Sequence, residues 1–386
     1  MKTITLGVIG FGTIGSGVVK LLRESGDIIE KRLGAKIYLK KIADLDITTP
    51  RVVSLPPELM TTEAAQILDD PDIDIVIELM GGYEPARSFI LTALKKGKHV
   101  VTANKALLAT YGNEVFQTAD RNNVDIRFEA SVGGTIPIIK TLKESLVGNR
   151  IDSFMAIMNG TSNYILSKMT DEEKPFDVVL KEAQALGFAE ADPTFDIEGI
   201  DTAHKLAIAL SLAYGKRVDI GDIHREGISG ISMQDIDFAR EFGYRIKLLA
   251  LAFARGEWVE ARIHPTMIPV DAMLANVNSN FNAFHIIGSS SGPVFLYGQG
   301  AGMMPTASAV ISDIIDIARG MLHGVSRLVP YRTLGEDIID DIRLIPFPEI
   351  RTNYYFRFMA ADKAGVLSKI SGILGEMNIS IASVIQ

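Results

Sequence analysis

The chain has 386 residues, of which 47% are hydrophobic and 22% are charged, which is typical of a globular protein with two or three domains. A formal net charge of -8 argues against nucleic-acid binding, and the absence of cysteine excludes disulfides and thiolate metal sites. No apolar run reaches the roughly 18 residues of a membrane span. Because no signal-peptide pattern stands near the N-terminus either, we expect a cytoplasmic protein without a membrane partner.

Residues 1–135 alternate short apolar runs with segments of helical periodicity. Strands are predicted at 3–9, 37–43, 73–79, 99–102 and 125–129. Helices are predicted between them at 14–24, 85–96 and 106–122. This alternation is typical of βαβ units and predicts an α/β fold with a Rossmann-type, doubly wound parallel sheet. We therefore assign residues 1–135 to a dinucleotide-binding domain.

A different pattern begins near residue 136 and predicts an α+β catalytic domain with a mixed sheet over residues 136–299. Its helices are predicted at 176–186 and 199–214, and its strands at 247–253, 258–264 and 283–287. A glycine-rich stretch then leads into an apolar helix at 306–321, and we assign residues 300–325 to the first domain. Residues 326–350 contain several prolines and acidic residues, which predicts a linker.

The last segment, 351–386, predicts a strand, a helix and a strand at 354–359, 366–376 and 380–385. One βαβ unit cannot cover both faces of its own sheet. We therefore expect an incomplete domain at this end of the chain.

A glycine-rich turn joins the first predicted strand to the first predicted helix, and its residues are Gly10, Phe11, Gly12, Thr13, Ile14 and Gly15. Such a turn lets the backbone approach a pyrophosphate, which the helix N-terminus then binds. Asp44, at the end of the second strand, is placed to accept hydrogen bonds from the adenosine ribose. A carboxylate there favours NAD over NADP, although Lys41 or Arg51 could offset it, so the choice between NAD and NADP stays open.

Two lysines stand out as candidates for chemistry. Lys105 follows Thr102 at the point where a buried strand gives way to a helix, and doubly wound sheets bind ligands at the carboxyl ends of their strands. Lys205 lies four residues after Asp201 on one predicted helical face. A plain helical ion pair of about 0.3–0.5 kcal/mol is the alternative interpretation. It does not explain the acidic residues that gather just before this pair, Glu190, Asp192 and Asp196.

The segment 183–205 resembles the homoserine dehydrogenase signature at every defined position. Segments 129–137, 159–164 and 300–306 look like the same family, and the similarity runs over about residues 4–325. Phe188 stands where some members have tyrosine, so a hydroxyl contact is missing there.

The resemblance implies an NAD(P)-dependent enzyme that interconverts L-aspartate 4-semialdehyde and L-homoserine in threonine, methionine and isoleucine biosynthesis. Lys205 and Lys105 are then the catalytic cations, one or both acting as acid in reduction and base in oxidation, with Asp201 orienting Lys205. Two neighbouring ammonium groups are expected to lower each other's pKa. The substrate-binding residues implied are Glu190, Asp196, Thr161 and Gly160, and the cofactor-binding residues implied beyond the glycine turn and Asp44 are Thr102, Lys105 and Gly302.

The resemblance also implies a monovalent cation, usually sodium, bound by the backbone carbonyls of Glu129, Val132, Gly134 and Ile136. It further implies a homodimer or higher homo-oligomer that assembles through the mixed sheet of the second domain. Residues 351–386 resemble the first half of an ACT domain, a regulatory module, and threonine is the effector that this likeness implies. The second half of such a domain is absent, which puts the threonine response in doubt.

Two other functions remain as alternatives. One is another NAD(P)-dependent amino-acid or semialdehyde dehydrogenase, against which the acidic cluster beside Lys205 argues. The lack of cysteine also excludes a thiohemiacetal mechanism. The other is a non-catalytic sensor of NAD and amino acids, which would not need Lys105 and Lys205 together with their carboxylates.

Overall fold

The computed structural model describes residues 2–215, 218–326, 329 and 343–385. Within these residues the chain forms two sheets, and the first is a six-stranded parallel sheet. Its strands are β1 Thr3–Ile9, β2 Lys36–Ala43, β3 Met60–Thr61, β4 Ile75–Glu78, β5 His99–Thr102 and β6 Ile126–Arg127. The helices that connect them are α1 Thr13–Glu24, α2 Gly26–Leu33, α3 Ala65–Leu68, α4 Ala86–Lys95 and α5 Lys105–Arg121.

The strand order in this sheet is β3-β2-β1-β4-β5-β6, and every pairing is parallel. Every residue of β4 is buried, because helices cover both faces of the sheet. The order reverses between β1 and β4, and the carboxyl ends of these strands flank the crevice in which such sheets bind ligands. The predicted Rossmann-type sheet is thereby confirmed.

The second sheet is mixed, with the order β12-β11-β7-β9-β10-β13 and with β8 paired to β10. Its strands are β7 Ile151–Ile157, β8 His224–Arg225, β9 Tyr244–Arg255, β10 Trp258–Pro269, β11 Phe281–Gly288, β12 Gly292–Gln299 and β13 Arg343–Leu344. The helices before and within it are α6 Ile138–Lys140, α7 Gly160–Glu172, α8 Phe176–Ala185, α9 Thr194–Ile197, α10 Ile200–Tyr214 and α11 Met233–Glu241.

Helices α5 and α10 pack against each other and join the two parts of the molecule. Leu108 of α5 belongs to the same buried apolar cluster as Leu206 and Leu210 of α10. Both helices begin with the residues that matter most for chemistry, since α5 starts at Lys105 and Asp201 is the second residue of α10. Their packing therefore brings these two positions into one region.

Helix α12, Met303–Leu322, returns the chain to the first sheet. Its apolar side chains, among them Val310, Ile314 and Ile317, share a core with β1 and α1. The contact with α1 is close, because a Cβ at Gly17 would lie 2.7 Å from Cγ of Met303. No helix of the described residues combines the length and the apolarity needed to cross a membrane.

The C-terminal segment differs from its prediction. Helix α13, Val366–Glu376, forms as expected, but the structure has no strand at 354–359 or 380–385. The aromatic side chains of Tyr354, Phe356 and Phe358 are exposed and stack on one another. An alternating pattern predicts a strand only where another strand pairs with it, and none of the described residues does so here.

Several elements in the second domain were missed by sequence reasoning. Strands β7 and β12 and helices α7 and α11 had no prediction, nor did α2 in the first domain. Helix α7 lacks an amphipathic pattern because it buries polar residues such as Ser162, Asn163 and Ser167. Most of the predicted linker, 326–350, lies outside the described residues, but β13 within it pairs with β10.

We expect Gly17→Ala to lower the free energy of unfolding by about 1–3 kcal/mol, because the new methyl group would be forced against α12. Gly26→Ala is the matched control, since a Cβ at this helical glycine meets no atom within 4 Å. Urea denaturation of both variants measures the difference. Equal stability of Gly17→Ala and the wild type would contradict the close contact between α1 and α12.

Candidate active site

The glycine turn between β1 and α1 has the shape of a phosphate-binding loop. Gly10 has a φ of 100°, and a Cβ there would lie 2.7 Å from the carbonyl carbon of Leu79. A Cβ at Gly15 would collide with the carbonyl oxygen of Gly10. At Gly12, the N-cap of α1, a Cβ would meet only open space, and no described side chain caps the helix. The N–H groups of the first turn, which includes Thr13 and Ile14, therefore suit a pyrophosphate.

Asp44 lies beside this turn at the end of β2. Its carboxylate accepts hydrogen bonds from the backbone N–H of Phe11 and, at 2.9 Å, from that of Asp46. The two cations that could attract a 2′-phosphate bind elsewhere. Lys41 donates to the carbonyl of Glu58 at 2.8 Å, and Arg51 pairs with Asp46 at 3.1 Å.

The carboxyl ends of β4 and β5 are fixed by buried polar contacts that sequence reasoning missed. Glu78 is fully buried and accepts hydrogen bonds from the Thr102 hydroxyl at 2.6 Å and the backbone N–H of Met80 at 2.8 Å. Burial raises the pKa of Glu78. Asn104 caps α5 by accepting from the N–H of Leu107 at 3.2 Å. These contacts turn the Thr102 hydroxyl inward and set the direction of α5, on which Lys105 is the first residue.

Lys105, Asp201 and Lys205 form one ion-pair cluster across the two parts of the molecule. Oδ1 of Asp201 lies 3.0 Å from Nζ of Lys105, and Oδ2 lies 2.7 Å from Nζ of Lys205. The Asp201 and Lys205 side chains are only 5% and 9% exposed, whereas Lys105 is 34% exposed. Lys205 also donates to the carbonyl of Met158 at 2.8 Å. A shared, buried carboxylate therefore holds two ammonium groups side by side.

Asn159 completes the cluster, and sequence reasoning assigned it no role. Its Nδ2 donates to Asp196 at 2.7 Å and to Asp201 at 3.0 Å. Its Oδ1 accepts from the N–H of Ser162 at 2.8 Å and so caps α7. Asparagine is a residue that commonly caps a helix, but α7 itself was not predicted, and a cap alone does not show which carboxylates it joins.

The charges around Asp201 set its pKa and that of Lys105. Burial alone would raise the pKa of Asp201, but the ammonium groups of Lys205 and Lys105 outweigh burial and hold it well below its usual value. The charge of Asp201 raises the pKa of Lys105, with Asp196 and Glu190 adding to the increase. The expectation that the two lysines lower each other's pKa is therefore wrong for Lys105, because a carboxylate lies between them.

The predicted substrate residues surround this cluster to different degrees. Asp196 is largely buried, and burial raises its pKa. Glu190 is exposed, and Thr161 donates its hydroxyl to the carbonyl of Phe188 at 2.6 Å. Gly160 begins α7 against the segment before β11. The carboxylate of Asp192 accepts from the backbone N–H of Thr194 at 3.1 Å and from its hydroxyl at 2.6 Å, and so holds the turn there.

The loop predicted to bind a cation, 129–136, follows β6 and packs against the glycines before α12. Glu129 is buried, and its carboxylate accepts from the backbone N–H of Ile139 at 2.8 Å and of Lys140 at 2.9 Å. Burial raises the pKa of Glu129 to about 7. Gly134 has a φ of 58°, and a Cβ there would lie 2.5 Å from the carbonyl carbon of Gly300. Contacts within the protein therefore fix this loop.

Comparison with known proteins identifies close relatives over the whole chain. The homoserine dehydrogenase family model matches residues 137–315, and the model of the homoserine dehydrogenase NAD binding domain matches residues 10–129. The chain is 44% identical over 386 residues to a homoserine dehydrogenase of Neisseria gonorrhoeae, covering 100% of this chain and 88% of that protein. It is 46% identical over 385 residues to one of Helicobacter pylori, with the same coverage of 100% and 88%.

Solved structures agree with these matches. A homoserine dehydrogenase from Thiobacillus denitrificans superposes with a TM-score of 0.92 at 44% identity, covering 100% of this chain and 89% of that one. A hyperthermophilic archaeal homoserine dehydrogenase mutant in complex with NADPH superposes with a TM-score of 0.69 at 28% identity, covering 81% and 97%.

We expect Asp201→Asn to lower the free energy of unfolding at neutral pH by about 3–5 kcal/mol, because the buried ammonium group of Lys205 and the partly exposed one of Lys105 lose their shared counter-ion. The pKa of Asp201 is lower in the folded protein than its ordinary value of 3.8. The wild type's advantage is thus fully present well above pH 3.8, begins to fall as the pH passes that ordinary value, and is lost completely only below the lower, folded-state pKa. Urea denaturation from pH 7 to pH 3 measures this dependence.

Asp27→Asn is the matched control, because Asp27 and Lys31 form an ion pair with the same spacing but with side chains 68% and 79% exposed. This variant should change the free energy of unfolding by about 0.5 kcal/mol or less. A stability difference between Asp201→Asn and the wild type that stays constant down to pH 3 would contradict the low pKa of Asp201.

Proposed function

The chain belongs to the homoserine dehydrogenase family and is an NAD(P)-dependent oxidoreductase that acts on a CH–OH group, and we propose that it interconverts L-homoserine and L-aspartate 4-semialdehyde at the Lys105–Asp201–Lys205 cluster. The observation that supports this location most is the ion pair between Lys105 and Asp201. Lys105 lies at the carboxyl edge of the parallel sheet, where the glycine turn suits a dinucleotide. Asp201 and Lys205 reach the same edge from the second domain.

We assign proton transfer to Lys205. Among the described residues, Asp201 and the Met158 carbonyl accept two of its three N–H bonds, which leaves one for the substrate oxygen. In oxidation the Lys205 amine accepts the hydroxyl proton of homoserine, and in reduction the ammonium returns it to the aldehyde oxygen. When bound, the nicotinamide cofactor accepts or supplies the hydride at the carbon atom.

Lys105 has a different role in this proposal. Because Asp201 raises its pKa, Lys105 keeps its charge throughout the working range of pH. A fixed positive charge at the mouth of the site stabilises the negative charge that develops on the substrate oxygen. Asp201 holds both nitrogen atoms in place, and Asn159 holds Asp201.

The substrate's own ammonium group suits the acidic side of the cluster. Asp196 is held by Asn159, and exposed Glu190 lies close enough to raise the pKa of Lys105 by its charge. Together these carboxylates attract the cationic end of an amino acid. Gly160 and Thr161 would line the pocket for the substrate ammonium group. The hydroxyl of Thr161 is held by the carbonyl of Phe188.

We also propose that the nucleotide site favours NAD. The carboxylate of Asp44 follows β2, where it would meet the adenosine ribose, while Lys41 donates to a backbone carbonyl and Arg51 pairs with Asp46. A 2′-phosphate would therefore meet the negative charge of Asp44.

We also propose that the loop 129–136 binds a monovalent cation. The carbonyl oxygens of Glu129, Val132, Gly134 and Ile136 would be its ligands, and such oxygens suit hard monovalent ions. The left-handed backbone at Gly134 and its contact with Gly300 give the loop one fixed conformation. A cation there would hold the loop against the start of α12, close to Gly302.

We propose that the chain forms a homodimer through one face of the mixed sheet. On the face opposite α7 and α10, the apolar side chains of Met155, Phe253 and Phe295 are only partly buried. A second copy of the chain would cover them. In the proposed metabolic role, homoserine formed here serves threonine, methionine and isoleucine biosynthesis.

We expect Lys205→Met to lower kcat for homoserine oxidation by about 10²–10⁴-fold, because the proton loses its acceptor. Absorbance of the reduced nicotinamide, followed with NAD and with NADP, measures the rate and shows whether NAD gives the higher kcat/KM. Lys168→Met is the matched control, since Lys168 forms an i,i+4 pair with Glu172 whose side chains are 32% and 36% exposed. Full activity of Lys205→Met would contradict its role, and absence of wild-type turnover with both nucleotides would contradict the proposed reaction.

The cation gives a separate expectation. Activity in a buffer whose only monovalent cation is tetramethylammonium should fall several-fold, because this ion is too large for a ring of backbone carbonyls. Added sodium chloride should restore the rate, whereas tetramethylammonium chloride at the same ionic strength should not. Equal rates in the two salts would contradict a cation site in the loop.

A further inference from the structure

Lys247 is a buried lysine in the middle of the second domain. It lies on β9, and its side chain is among the largest that are fully buried, with 1% of the residue exposed. The residues that follow it on the strand are apolar, from Leu248 to Ala252. An ammonium group in such a place is costly unless several acceptors surround it.

Neutral oxygen atoms surround the ammonium group of Lys247. Nζ donates to the Val277 carbonyl at 2.6 Å, to Oδ1 of Asn163 at 3.1 Å and to Oγ of Ser167 at 3.2 Å, and Oδ1 of Asn278 lies 3.3 Å away. The charged neighbours Arg245 and Asp171 pair with each other at 3.3 Å. Burial lowers the pKa of Lys247 to about 7, and the charge of Arg245 adds to the decrease.

Lys247 sets the orientation of the Asn163 side chain. Oδ1 of Asn163 faces the ammonium group, so Nδ2 must point the other way. There it lies 3.0 Å from the carbonyl oxygens of Val277 and Ser279 and 3.1 Å from that of Phe281. If the amide were flipped, Nδ2 would face the donor Nζ of Lys247, and Oδ1 would face the backbone carbonyl oxygens.

These hydrogen bonds hold the segment 277–281 in an unfavourable conformation. Ser279 has a φ of 57°, which is in the left-handed region that residues with a Cβ avoid. Lys247 binds the segment at Val277, and Asn163 binds it at three successive alternate residues. The local backbone preference alone would not keep this shape.

The same segment presses on the start of α7. A Cβ at Gly160 would lie 2.7 Å from the carbonyl oxygen of Asn280, so the segment and the first turn of the helix are in direct contact. Asn159 directly precedes this turn and holds Asp196 and Asp201. The geometry of the ion-pair cluster therefore depends on where the segment 277–281 lies.

We propose that Lys247 is a positioning residue for the dehydrogenase reaction, which acts through Asn163 and the segment 277–281 on the first turn of α7 and so on Asp196 and Asp201. The inference rests on the site proposed above. The proposal predicts different effects on the two substrates. The start of α7 positions the carboxylates assigned to the amino acid, whereas the proposed nucleotide site lies at the first sheet. Loss of Lys247 should therefore weaken the use of homoserine and leave nucleotide binding intact.

The test compares Lys247→Met with Lys98→Met in the homoserine oxidation assay. Lys98 is a matched control, because it is also a buried lysine that donates to backbone carbonyls, those of Ile73 and Asp70. It directly precedes β5 and therefore lies at the amino ends of the parallel strands, whereas the proposed site lies at their carboxyl ends. We expect Lys247→Met to lower kcat/KM for homoserine by about tenfold or more, with KM for the nucleotide within about twofold of the wild type.

Lys247→Gln should recover part of the loss, because its amide still donates to Asn163 or Val277, and it carries the test if Lys247→Met does not fold. Wild-type kinetics for homoserine in both variants would overturn the proposal. A loss that affects both substrates equally and that Lys98→Met reproduces would also overturn it. An active Lys205→Met variant would refute the proposed site itself, whereas an inactive Lys205→Met with unaffected Lys247 variants would refute only this inference.

Discussion

One buried carboxylate, that of Asp201, determines the arrangement of the whole site. It lies between two ammonium groups that come from different parts of the chain, Lys105 from the start of α5 and Lys205 from α10. Without it, two positive charges would face each other with no negative charge between them, one of them on the buried side chain of Lys205. Three features bring donors to this carboxylate: the packing of α5 against α10, the cap of α7 at Asn159, and the contact of Lys205 with Met158.

The second domain uses a different solution for a buried cation at Lys247. No carboxylate among the described residues pairs with this ammonium group; neutral oxygens from a helix and a loop surround it instead. At Asp201 the ion pairs keep charges in fixed positions for chemistry, whereas at Lys247 the hydrogen bonds give an irregular backbone a single shape. The two sites are joined by one helix, α7, whose buried polar residues serve both.

Local patterns in the sequence predicted the features that depend on neighbouring residues. The strand, turn and helix around Gly10 and Gly15, the helical face shared by Asp201 and Lys205, and the family itself were all predicted correctly. Long-range proximity was predicted only through the family resemblance, which made Lys105 and Lys205 neighbours. The resemblance did not place Asp201 between them, which depends on the packing of α5 against α10, and the pKa of Lys105 was predicted in the wrong direction for that reason. The acceptors around Lys247 come from two separate segments, so no window of sequence contains them.

The return of α12 to the first sheet has a consequence for the way the chain can be divided. Residues before β7 do not contain everything that the first sheet needs, because Val310, Ile314 and Ile317 supply part of its core. An N-terminal fragment that ends before the second domain would leave this apolar surface open to water and would be prone to self-association. The chain crosses between its two halves twice, so two covalent connections join them, and the first sheet depends on residues that lie beyond the second domain in the sequence.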